Sequence, residues 1–451
     1  MRVLVVGGGG REHALCWKLR QSPLLTELFC APGNPGIARV ADRVQLDADE
    51  IHRLADFAQE AAIDLTVVGP ELPLTLGIVD EFRERGLRIF GPSRAAAELE
   101  GSKAFTKQFL ARHRIPTAEF VLAHDRPEAE RAVAELGLPV VLKADGLAAG
   151  KGVVVAADRE EVERALELFF DERRFGAAGA LVVVERFLVG EEVSMIALAD
   201  GKHLLPMATA RDYKRLLDDD RGPNTGGMGA HSPSGVLAGR AAGAALESIL
   251  RPTLAALDAE DRTFVGFLYA GLMVTAEGPR VLEFNVRLGD PEAQALLLRL
   301  DDDLLPILDA GAAGAFGVSR LHFRKEASAV VVLASRGYPE KPERGETIDG
   351  LERAEEHPGA IVFHAGTAEV DGRIVTAGGR VLNVGATGPE LASALRTAYD
   401  AAAEIRWPSL ELRTDIGRRL LERVEPAAET GSFRTGEIEP APASDTDDEL
   451  D

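Results

Sequence analysis

Cysteine is scarce in this chain of 451 residues, and no long apolar run is present. Cys16 and Cys30 are the two cysteines, and they lack a metal-ligand spacing, which excludes a disulfide framework and favours a reducing compartment. No apolar run reaches the length of a membrane span, and the first strand runs into glycine too early for a signal peptide. We therefore expect a cytoplasmic globular protein without a membrane partner, with about three domains for this length.

Lysine is also scarce: it supplies nine of the 51 basic residues, against 73 acidic residues and a net charge of −22. This balance excludes the basic surfaces on which nucleic-acid and anionic-membrane binding depend. A surface rich in carboxylates and poor in ammonium groups favours a cytoplasm with molar salt, where the Debye length is only about 3 Å. An acidic protein from a high-GC genome is the alternative. Five of the lysines lie in or beside the segments singled out below: Lys103, Lys107, Lys143, Lys151 and Lys214.

A glycine-rich loop, residues 143–153, joins two β-branched runs at 139–142 and 153–156, which predicts a hairpin. Its glycines allow close approach of the backbone, and a lysine at each end suits a polyphosphate. A Walker A loop is excluded, because only three residues separate Gly146 from Gly150 and the loop leads into a strand. An ordinary flexible hairpin is the alternative.

Residues 1–102 read as a parallel sheet with helices on both faces. The predicted strands are 3–6, 27–31, 65–68 and 88–90, and the predicted helices are 12–21, 50–62 and 73–85. The turn after the first strand resembles a dinucleotide fingerprint only weakly, because the third glycine would fall at Glu12. Helix-start amides with Arg11 can instead hold a phosphate or phosphosugar, and a tight turn without a ligand is the third possibility.

The next segment, residues 118–200, reads as a small strand and helix module that contains the glycine-rich loop. Before it, a helix from Lys103 to about Arg114 places Lys103 and Lys107 on one face. Within it we predict a helix at 160–170 and strands at 181–188 and 191–198. Glu185, Glu191 and Glu192 can bind an adenosine there, or can be solvated edge residues.

Residues 222–229 contain four glycines, more than a structural turn requires, which indicates close approach to a substrate. Residues 211–215 just upstream can add charge to the same place. A helix at 238–259 and paired strands at 267–274 and 280–286 follow.

The strand at 280–286 predicts a second site. Alternation places Glu283, Asn285 and Arg287 on one face, with Leu282, Phe284 and Val286 on the other. Hard oxygen ligands on this face suit Mg²⁺ or Mn²⁺ bound together with substrate phosphates, and the guanidinium suits a transferring phosphoryl group. After it, Asp290 can cap a helix with Pro291 at the first position.

Beyond residue 318, strands at 328–334, 360–363 and 380–384 and a helix at 389–405 predict a small α+β domain. The acidic segment 426–451 is expected to be a disordered tail.

Together these motifs resemble the phosphoribosylamine–glycine ligases, glycinamide ribonucleotide synthetases of the ATP-grasp superfamily. The resemblance covers residues 1 to about 422 and rests on several separate segments: 9–14, 32–34, 100–103, 143–153, 222–229 and 287–292. One departure is Leu288, where the family usually has phenylalanine; we expect it on the apolar side.

The resemblance implies a multidomain protein of α/β and α+β class. Its parts are an amino-terminal parallel βα domain (1–102), a central ATP-grasp domain (103–315) with a small mobile flap module (about 118–195), and a carboxy-terminal α+β domain (316–425). The implied reaction joins glycine to 5-phosphoribosylamine through glycyl phosphate, with ATP and Mg²⁺ or Mn²⁺ as cofactors, and we expect a monomer. Another ATP-grasp carboxylate–amine ligase and a catalytically silent nucleotide-binding protein are the alternatives.

The resemblance also implies roles for individual residues. Those implied for catalysis are Arg287, Asp290, Lys214 and Asp212. Those implied for ATP are Lys107, Lys143, Gly146, Gly150, Lys151, Gly152, Glu185, Leu188 and Glu192, and those for the metal are Glu283 and Asn285. Those implied for glycine and the phosphosugar are Gly8, Gly10, Arg11, Glu12, His13, Asn224, Thr225, Gly226, Gly227, Met228 and Gly229.

Overall fold

The computed structural model describes residues 1–146, 152–172, 174 and 176–424. Gly150 and Lys151 of the predicted phosphate loop and the predicted tail at 426–451 lie outside the described residues. Within the described part of the chain, no helix combines the length and the apolar character needed to cross a membrane.

The amino-terminal part forms the predicted parallel sheet, with strand order β3-β2-β1-β4-β5. Its strands are β1 (Arg2–Gly7), β2 (Glu27–Pro32), β3 (Asp42–Arg43), β4 (Leu65–Val68) and β5 (Ile89–Phe90). Its helices are α1 (Gly10–Leu19), α2 (Ile51–Glu60), α3 (Glu71–Leu76), α4 (Ile78–Glu84) and α5 (Arg94–Gly101). Val3 and Val5 pack with α1, while Leu4 and Val6 pack with α2 and α4, so helices cover both faces. The helix predicted at 73–85 is interrupted at Gly77, whose φ of +94° ends α3.

The flap module forms an antiparallel sheet with a core of its own, in the order β6-β9-β7-β8. Its strands are β6 (Phe120–Ala123), β7 (Val140–Ala144), β8 (Val153–Ala156) and β9 (Val182–Arg186). The helices in and before it are α6 (Lys103–Arg112), α7 (Arg126–Leu136) and α8 (Arg159–Leu166). β7 pairs with β8 as the predicted hairpin, and a π-helical turn, Glu167–Asp171, extends α8 over the predicted range.

The central part contains a second antiparallel sheet, with strand order β11-β10-β16-β17. The strands of this part of the chain are β10 (Glu191–Asp200), β11 (Leu204–Pro206), β12 (Arg211–Asp212), β13 (Arg215–Leu217), β14 (Arg221–Asn224), β15 (Gly229–Ser232), β16 (Val265–Thr275) and β17 (Gly278–Asn285). Its helices are α9 (Gly239–Ala245), α10 (Arg251–Ala259), α11 (Glu292–Arg299) and α12 (Leu304–Ala312). The strand predicted at 191–198 is present, but it pairs with β16 and not with the flap sheet.

Strand β17 departs from simple alternation. Gly271 pairs with Glu283 and Leu272 with Val281, so Leu282 is the extra residue of a β-bulge. Val281, Phe284 and Val286 enter the core, whereas Leu282 turns to the cleft described below. The prediction that Leu282 shares the apolar face with Phe284 was therefore wrong.

The carboxy-terminal sheet has the order β12-β15-β18-β22-β19, and β23 pairs with the end of β18 at Ala334 and Ser335. Its later strands and the nearby hairpin are β18 (Ala327–Ser335), β19 (Ala360–His364), β20 (Thr367–Val370), β21 (Arg373–Thr376), β22 (Arg380–Gly388) and β23 (Leu410–Glu411). The last helices are α13 (Leu351–Glu355), α14 (Leu391–Ala402) and α15 (Arg418–Val424). Because β12 and β15 join this sheet, the segment 213–228 between them is held at the junction with the central part.

The amino-terminal and carboxy-terminal parts meet at two buried histidines. The backbone N–H of His364 donates to Nδ1 of His13 at 2.8 Å, and the Asn34 side chain donates to the carbonyl groups of Gly8 and His364. The His13 ring packs edge-on against Phe363. Burial, aided by the neighbouring His364 and Arg39, lowers the pKa of His13 to about 3, and burial lowers the pKa of His364 to about 4. His13 is therefore a neutral acceptor at this interface.

We predict that this interface weakens in acid. Both histidines have folded-state pKa values below the unfolded value of about 6.5, so the unfolded chain binds more protons and stability is lost as pH falls from about 6.5 towards about 4. His13→Asn keeps an acceptor and removes one titrating group, so its melting temperature should fall less steeply over this range. Exposed His124→Asn is the control, and equal slopes for wild type and His13→Asn would contradict the prediction.

Candidate active site

A cleft of about 880 Å³ opens between the three parts of the chain and the flap module. Its walls come from α6, from the flap strands, from β17 and from the segment 211–226, with Arg11, Tyr338 and Arg380 at its sides. This volume lies within the range of about 300–1,000 Å³ that small-molecule sites occupy. The predicted carboxylates, the predicted lysines that the structure describes and parts of both glycine-rich loops therefore converge on one cavity.

One wall carries two buried lysines joined by a carboxylate. Lys107 Nζ lies 2.8 Å from Glu185 Oε2, and Lys143 Nζ lies 2.9 Å from Glu185 Oε1. Burial lowers the pKa of Lys107 to about 8, because the attraction of Glu185 offsets only part of the desolvation and Lys143 repels it. Lys143 also donates to the carbonyl of Leu282 at 3.0 Å, which ties the flap sheet to β17.

A second wall, which adjoins the first at Leu282, is the half-buried face of β17. Lys214 Nζ lies 2.9 Å from Glu283 Oε1 and 3.9 Å from Glu192 Oε2. Lys214 is the largest cause that lowers the pKa of Glu283, to about 2, so this carboxylate is ionised at neutral pH. Burial alone would lower the pKa of Lys214, but Glu283 and Glu192 raise it well above its usual value. Asn285 lies on the same face.

Arg287 follows this strand and is held by two acids of the amino-terminal part. Its Nη2 lies 2.9 Å from Glu100 Oε1, and its Nε lies 3.2 Å from Glu71 Oε2. Burial opposes the charge on the guanidinium, but Glu100 and Glu71 together raise the pKa of Arg287. The strand face predicted to carry Glu283, Asn285 and Arg287 thus forms one continuous wall, braced from outside its own domain.

The loop 224–229 is fixed from the carboxy-terminal part. Tyr338 Oη accepts from the backbone N–H of Gly226 at 2.9 Å, and the Arg380 guanidinium donates to the carbonyl of Gly226. Gly227 has a φ of +112°, and a Cβ there would lie 2.6 Å from Asp212 Oδ1, so glycine is required at this position.

Asp290 does not cap helix α11, contrary to the prediction. The helix begins at Glu292 with Pro291 at the N-cap, while the Asp290 carboxylate accepts from Gln294 at 2.8 Å and lies 3.5 Å from Arg380. Burial would raise the pKa of Asp290, but Arg380 and Arg11 lower it below its usual range. The carboxylate is therefore an ionised group of the cleft wall.

Asp212 lies beside a buried acidic network. Tyr269 Oη donates to Glu292 Oε1 at 2.6 Å, and Ser194 Oγ donates to the same oxygen at 2.9 Å. Burial, together with Glu292, raises the pKa of Asp212 well above its usual value, and Lys214 and Arg380 offset this only in part. The Asp212 carboxylate is thus a stronger base than an ordinary aspartate.

The structure divides the predicted site residues into two groups. Those that line the cleft are Arg11, Lys107, Lys143, Gly152, Glu185, Leu188, Glu192, Asp212, Lys214, Asn224, Thr225, Gly226, Glu283, Asn285, Arg287 and Asp290. The other described site residues do not line it: Gly8, Gly10, Glu12, His13, Gly146, Gly227, Met228 and Gly229.

Several cleft residues were missed by the sequence reasoning: Glu71, Glu100, Tyr269, Glu292, Tyr338 and Arg380. They reach the cleft from distant positions in the chain, and no local motif marked their roles. Glu100 and Glu292 belonged to the resemblance segments 100–103 and 287–292, and these segments were the available signals.

Family models match all three parts of the chain. The N domain of phosphoribosylglycinamide synthetase matches residues 1–100, its ATP-grasp (A) domain matches 101–293, and its C domain matches 328–419. The three matches follow the chain in order and cover most of it.

Curated relatives show similarity over nearly the whole chain. Phosphoribosylamine–glycine ligase of Brucella melitensis is 49% identical over 423 residues, which cover 94% of this chain and 99% of that protein. The Escherichia coli K12 protein of the same name is 50% identical over 430 residues, again 94% and 99% of the two chains.

Solved structures agree with these similarities. The crystal structure of phosphoribosylamine–glycine ligase from Thermotoga maritima has a TM-score of 0.80 and 35% identity, and the match covers 92% of this chain and all of that one. Biotin carboxylase from Campylobacter jejuni, at 14% identity and a TM-score of 0.70 over 91% of this chain and 92% of that one, shares the fold. The chain therefore belongs to the phosphoribosylamine–glycine ligase family, the ATP-grasp enzymes that join glycine to 5-phosphoribosylamine in purine biosynthesis.

Proposed function

We propose that the cleft binds ATP between the lysine wall and β17, and binds glycine and phosphoribosylamine between β17 and the loop 224–229. One observation carries this arrangement: Lys107, Lys143 and Glu185 line the same cavity as Glu283 and Asn285. Phosphoryl transfer depends on position and on charge neutralisation more than on a covalent nucleophile, and these residues supply both.

The nucleotide lies along the end of β9. Glu185 and Leu188 border the adenine, and Glu192 accepts from the ribose. Lys107 and Lys143 hold the phosphates together with the hairpin residues Gly146, Gly150, Lys151 and Gly152. Glu185 holds both ammonium groups side by side, so the two donors are aligned to meet an anion.

The metal site is formed by Glu283 and Asn285. Among the described residues no group of three histidine, cysteine or acidic side chains is gathered for a metal, so the protein supplies few ligands. This fits Mg²⁺ or Mn²⁺, which take carboxylate and amide oxygens and complete their shell with water and substrate phosphates. The lowered pKa of Glu283 also suits a metal site, because an ionised carboxylate is the form that binds a cation. When bound, such an ion neutralises phosphate charge.

The remaining residues act on the two acceptors. Glycine carboxylate attacks the γ-phosphorus of ATP to give glycyl phosphate and ADP, and Arg287 and Lys214 stabilise the negative charge on the transferring group. The phosphoribosylamine nitrogen then attacks the glycyl carbon and phosphate leaves. The raised pKa of Asp212 suits a group that accepts the proton released from that nitrogen. Asp290 and the loop 224–229 orient the amine.

The turn after β1 holds the phosphate of the phosphosugar. Arg11 reaches the cleft and donates to the carbonyl of Leu288 at 2.8 Å. Glu12 accepts from the backbone N–H of Gly9 at 2.6 Å and from Arg11 at 2.7 Å, so it shapes the turn around Gly8 and Gly10. His13 contributes through its Nδ1, which accepts from the backbone N–H of His364.

Three further proposals concern the whole chain. The functional units are residues 1–102, 103–315 and 316–425, although β12 and β15 of the middle unit complete the last sheet. The protein acts as a monomer, and it works in a cytoplasm with high salt.

The first prediction of this arrangement concerns substrate dependence. Purified protein should release phosphate from ATP with Mg²⁺ when glycine and phosphoribosylamine are both present. Omitting either should remove amide formation, and omitting glycine should also remove ATP turnover, because glycine carboxylate is the phosphoryl acceptor. Turnover that does not require glycine would contradict the proposal.

Glu283→Gln tests the metal wall. Loss of the carboxylate removes one ligand and leaves Lys214 unpaired, so kcat should fall by at least about a hundredfold, the scale of removing one electrostatic stabiliser. Steady-state phosphate release across Mg²⁺ and Mn²⁺ concentrations measures this. Glu277→Gln, an exposed residue of the same hairpin, is the matched control. Near-normal kcat in Glu283→Gln would place the metal elsewhere.

Salt dependence tests the acidic surface. With 73 acidic residues and nine lysines, repulsion between carboxylates should destabilise the fold at low ionic strength. We expect the melting temperature to rise steadily from about 0.05 M to about 2 M KCl, a range over which the Debye length falls below about 3 Å. Thermal melts followed by circular dichroism measure this temperature. A melting temperature that does not change with KCl would refute the high-salt cytoplasm.

A further inference from the structure

A polar cluster outside the proposed catalytic residues joins the segment 413–419 to the tip of the β13–β14 hairpin. Arg413 is its centre and is 1% exposed. Its Nε and Nη2 donate to the two carboxylate oxygens of Asp415 at 2.7 and 2.9 Å. Its Nη1 donates to Asp220 at 3.0 Å and to the carbonyl of Arg215 at 3.1 Å. A guanidinium with four such acceptors fixes their relative positions.

The tip that it contacts has an unfavourable backbone. Asp219 and Asp220 are consecutive residues with φ of +60° and +53°, in the left-handed region that non-glycine residues seldom adopt. Such a conformation persists only where neighbouring groups enforce it. Here Asp219 donates its N–H to Asp415 at 2.9 Å, and Asp218 accepts from the N–H of Thr414 at 2.8 Å.

The base of the same hairpin is tied to the same segment and to the cleft. Gly417 donates its N–H to Tyr213 Oη at 2.9 Å, and the Arg413 guanidinium lies 5.2 Å from the Tyr213 ring centroid. The next residue, Lys214, accepts at its carbonyl from the N–H and the hydroxyl of Thr225, at 2.7 and 2.8 Å. Lys214 and Thr225 both line the cleft.

We propose that Arg413 is a positioning residue of the enzyme: by clamping both ends of the hairpin 213–225, it sets the place of Lys214 and of the loop 224–229 around glycine and phosphoribosylamine. The inference rests on the proposed placement of these two substrates. Arg413 acts through the hairpin, since its own donors are all directed to Asp415, Asp220 and Arg215. Displacement of a binding group by about 1 Å can lower a rate by about a hundredfold.

The test compares Arg413→Lys and Arg413→Met with wild type. We expect kcat/KM for glycine and for phosphoribosylamine to fall by about tenfold to a hundredfold in Arg413→Met. In Arg413→Lys, kcat/KM should fall less, because lysine keeps the positive charge but lacks the planar guanidinium with its several donors. Kd for ATP, measured by equilibrium binding, should stay within about twofold of wild type, since the proposed nucleotide residues other than Glu192 lie on the flap and α6. Arg353→Met removes an exposed ion pair with Glu404 and is the matched control.

Asp220→Asn keeps the turn and removes one partner of Arg413, so it tests the clamp if Arg413→Met does not fold. A lower melting temperature with unchanged kcat/KM in these variants would overturn the proposal, and so would an equal loss of ATP affinity. Lys214→Met separates the two levels of inference. If it leaves kcat/KM unchanged for both substrates, the substrate placement is wrong; if it lowers kcat/KM for both while the Arg413 and Asp220 variants do not, only the clamp is wrong.

Discussion

The cleft depends on the compensation of buried charge. A site for a polyphosphate needs cations in a partly desolvated place, and an unpaired buried cation is costly. The cations of the two walls described above therefore meet carboxylates: Lys107 and Lys143 share Glu185, Lys214 meets Glu283, and Arg287 meets Glu71 and Glu100. The cleft thus holds matched charges, and an incoming anion replaces or joins partners that already hold the donors in place.

This compensation also explains why the walls come from different parts of the chain. Arg287 belongs to the central part, but its two acids belong to the amino-terminal part. Arg380 belongs to the carboxy-terminal sheet, and it contacts the loop carbonyl of Gly226 and the Asp290 carboxylate. Because these pairs span a boundary, the relative position of the parts is set by the same contacts that build the site. A substitution in one part can therefore displace site residues that belong to another part.

Local pattern was enough to predict most elements and the two walls of the cleft. The strands β1, β7, β8 and β17 and the glycine loops follow from alternation and from turn residues, which act over a few positions. Three features of the structure could not be predicted from local pattern. The bulge at Leu282 depends on pairing with β16, the place of Asp290 depends on Gln294 and Arg380, and the role of Glu71 depends on an arginine more than two hundred residues away. Such contacts arise in the tertiary structure and leave no periodic signal.

The choice between lysine and arginine follows the number of partners that must be held. Where one cation must meet phosphates, as we propose at positions 107 and 143, the chain uses scarce lysine, a compact charge on a flexible stem whose pKa responds to burial, as that of Lys107 does. Where a cation must hold several protein groups at fixed angles, as at Arg287, Arg380 and Arg413, it uses the planar guanidinium. Arg11 and Arg287 combine the two tasks, since each contacts protein groups and is also proposed to meet a phosphate or phosphoryl group. The use of scarce lysine in the cleft is why the positions of the few lysines indicated the site before its geometry was known.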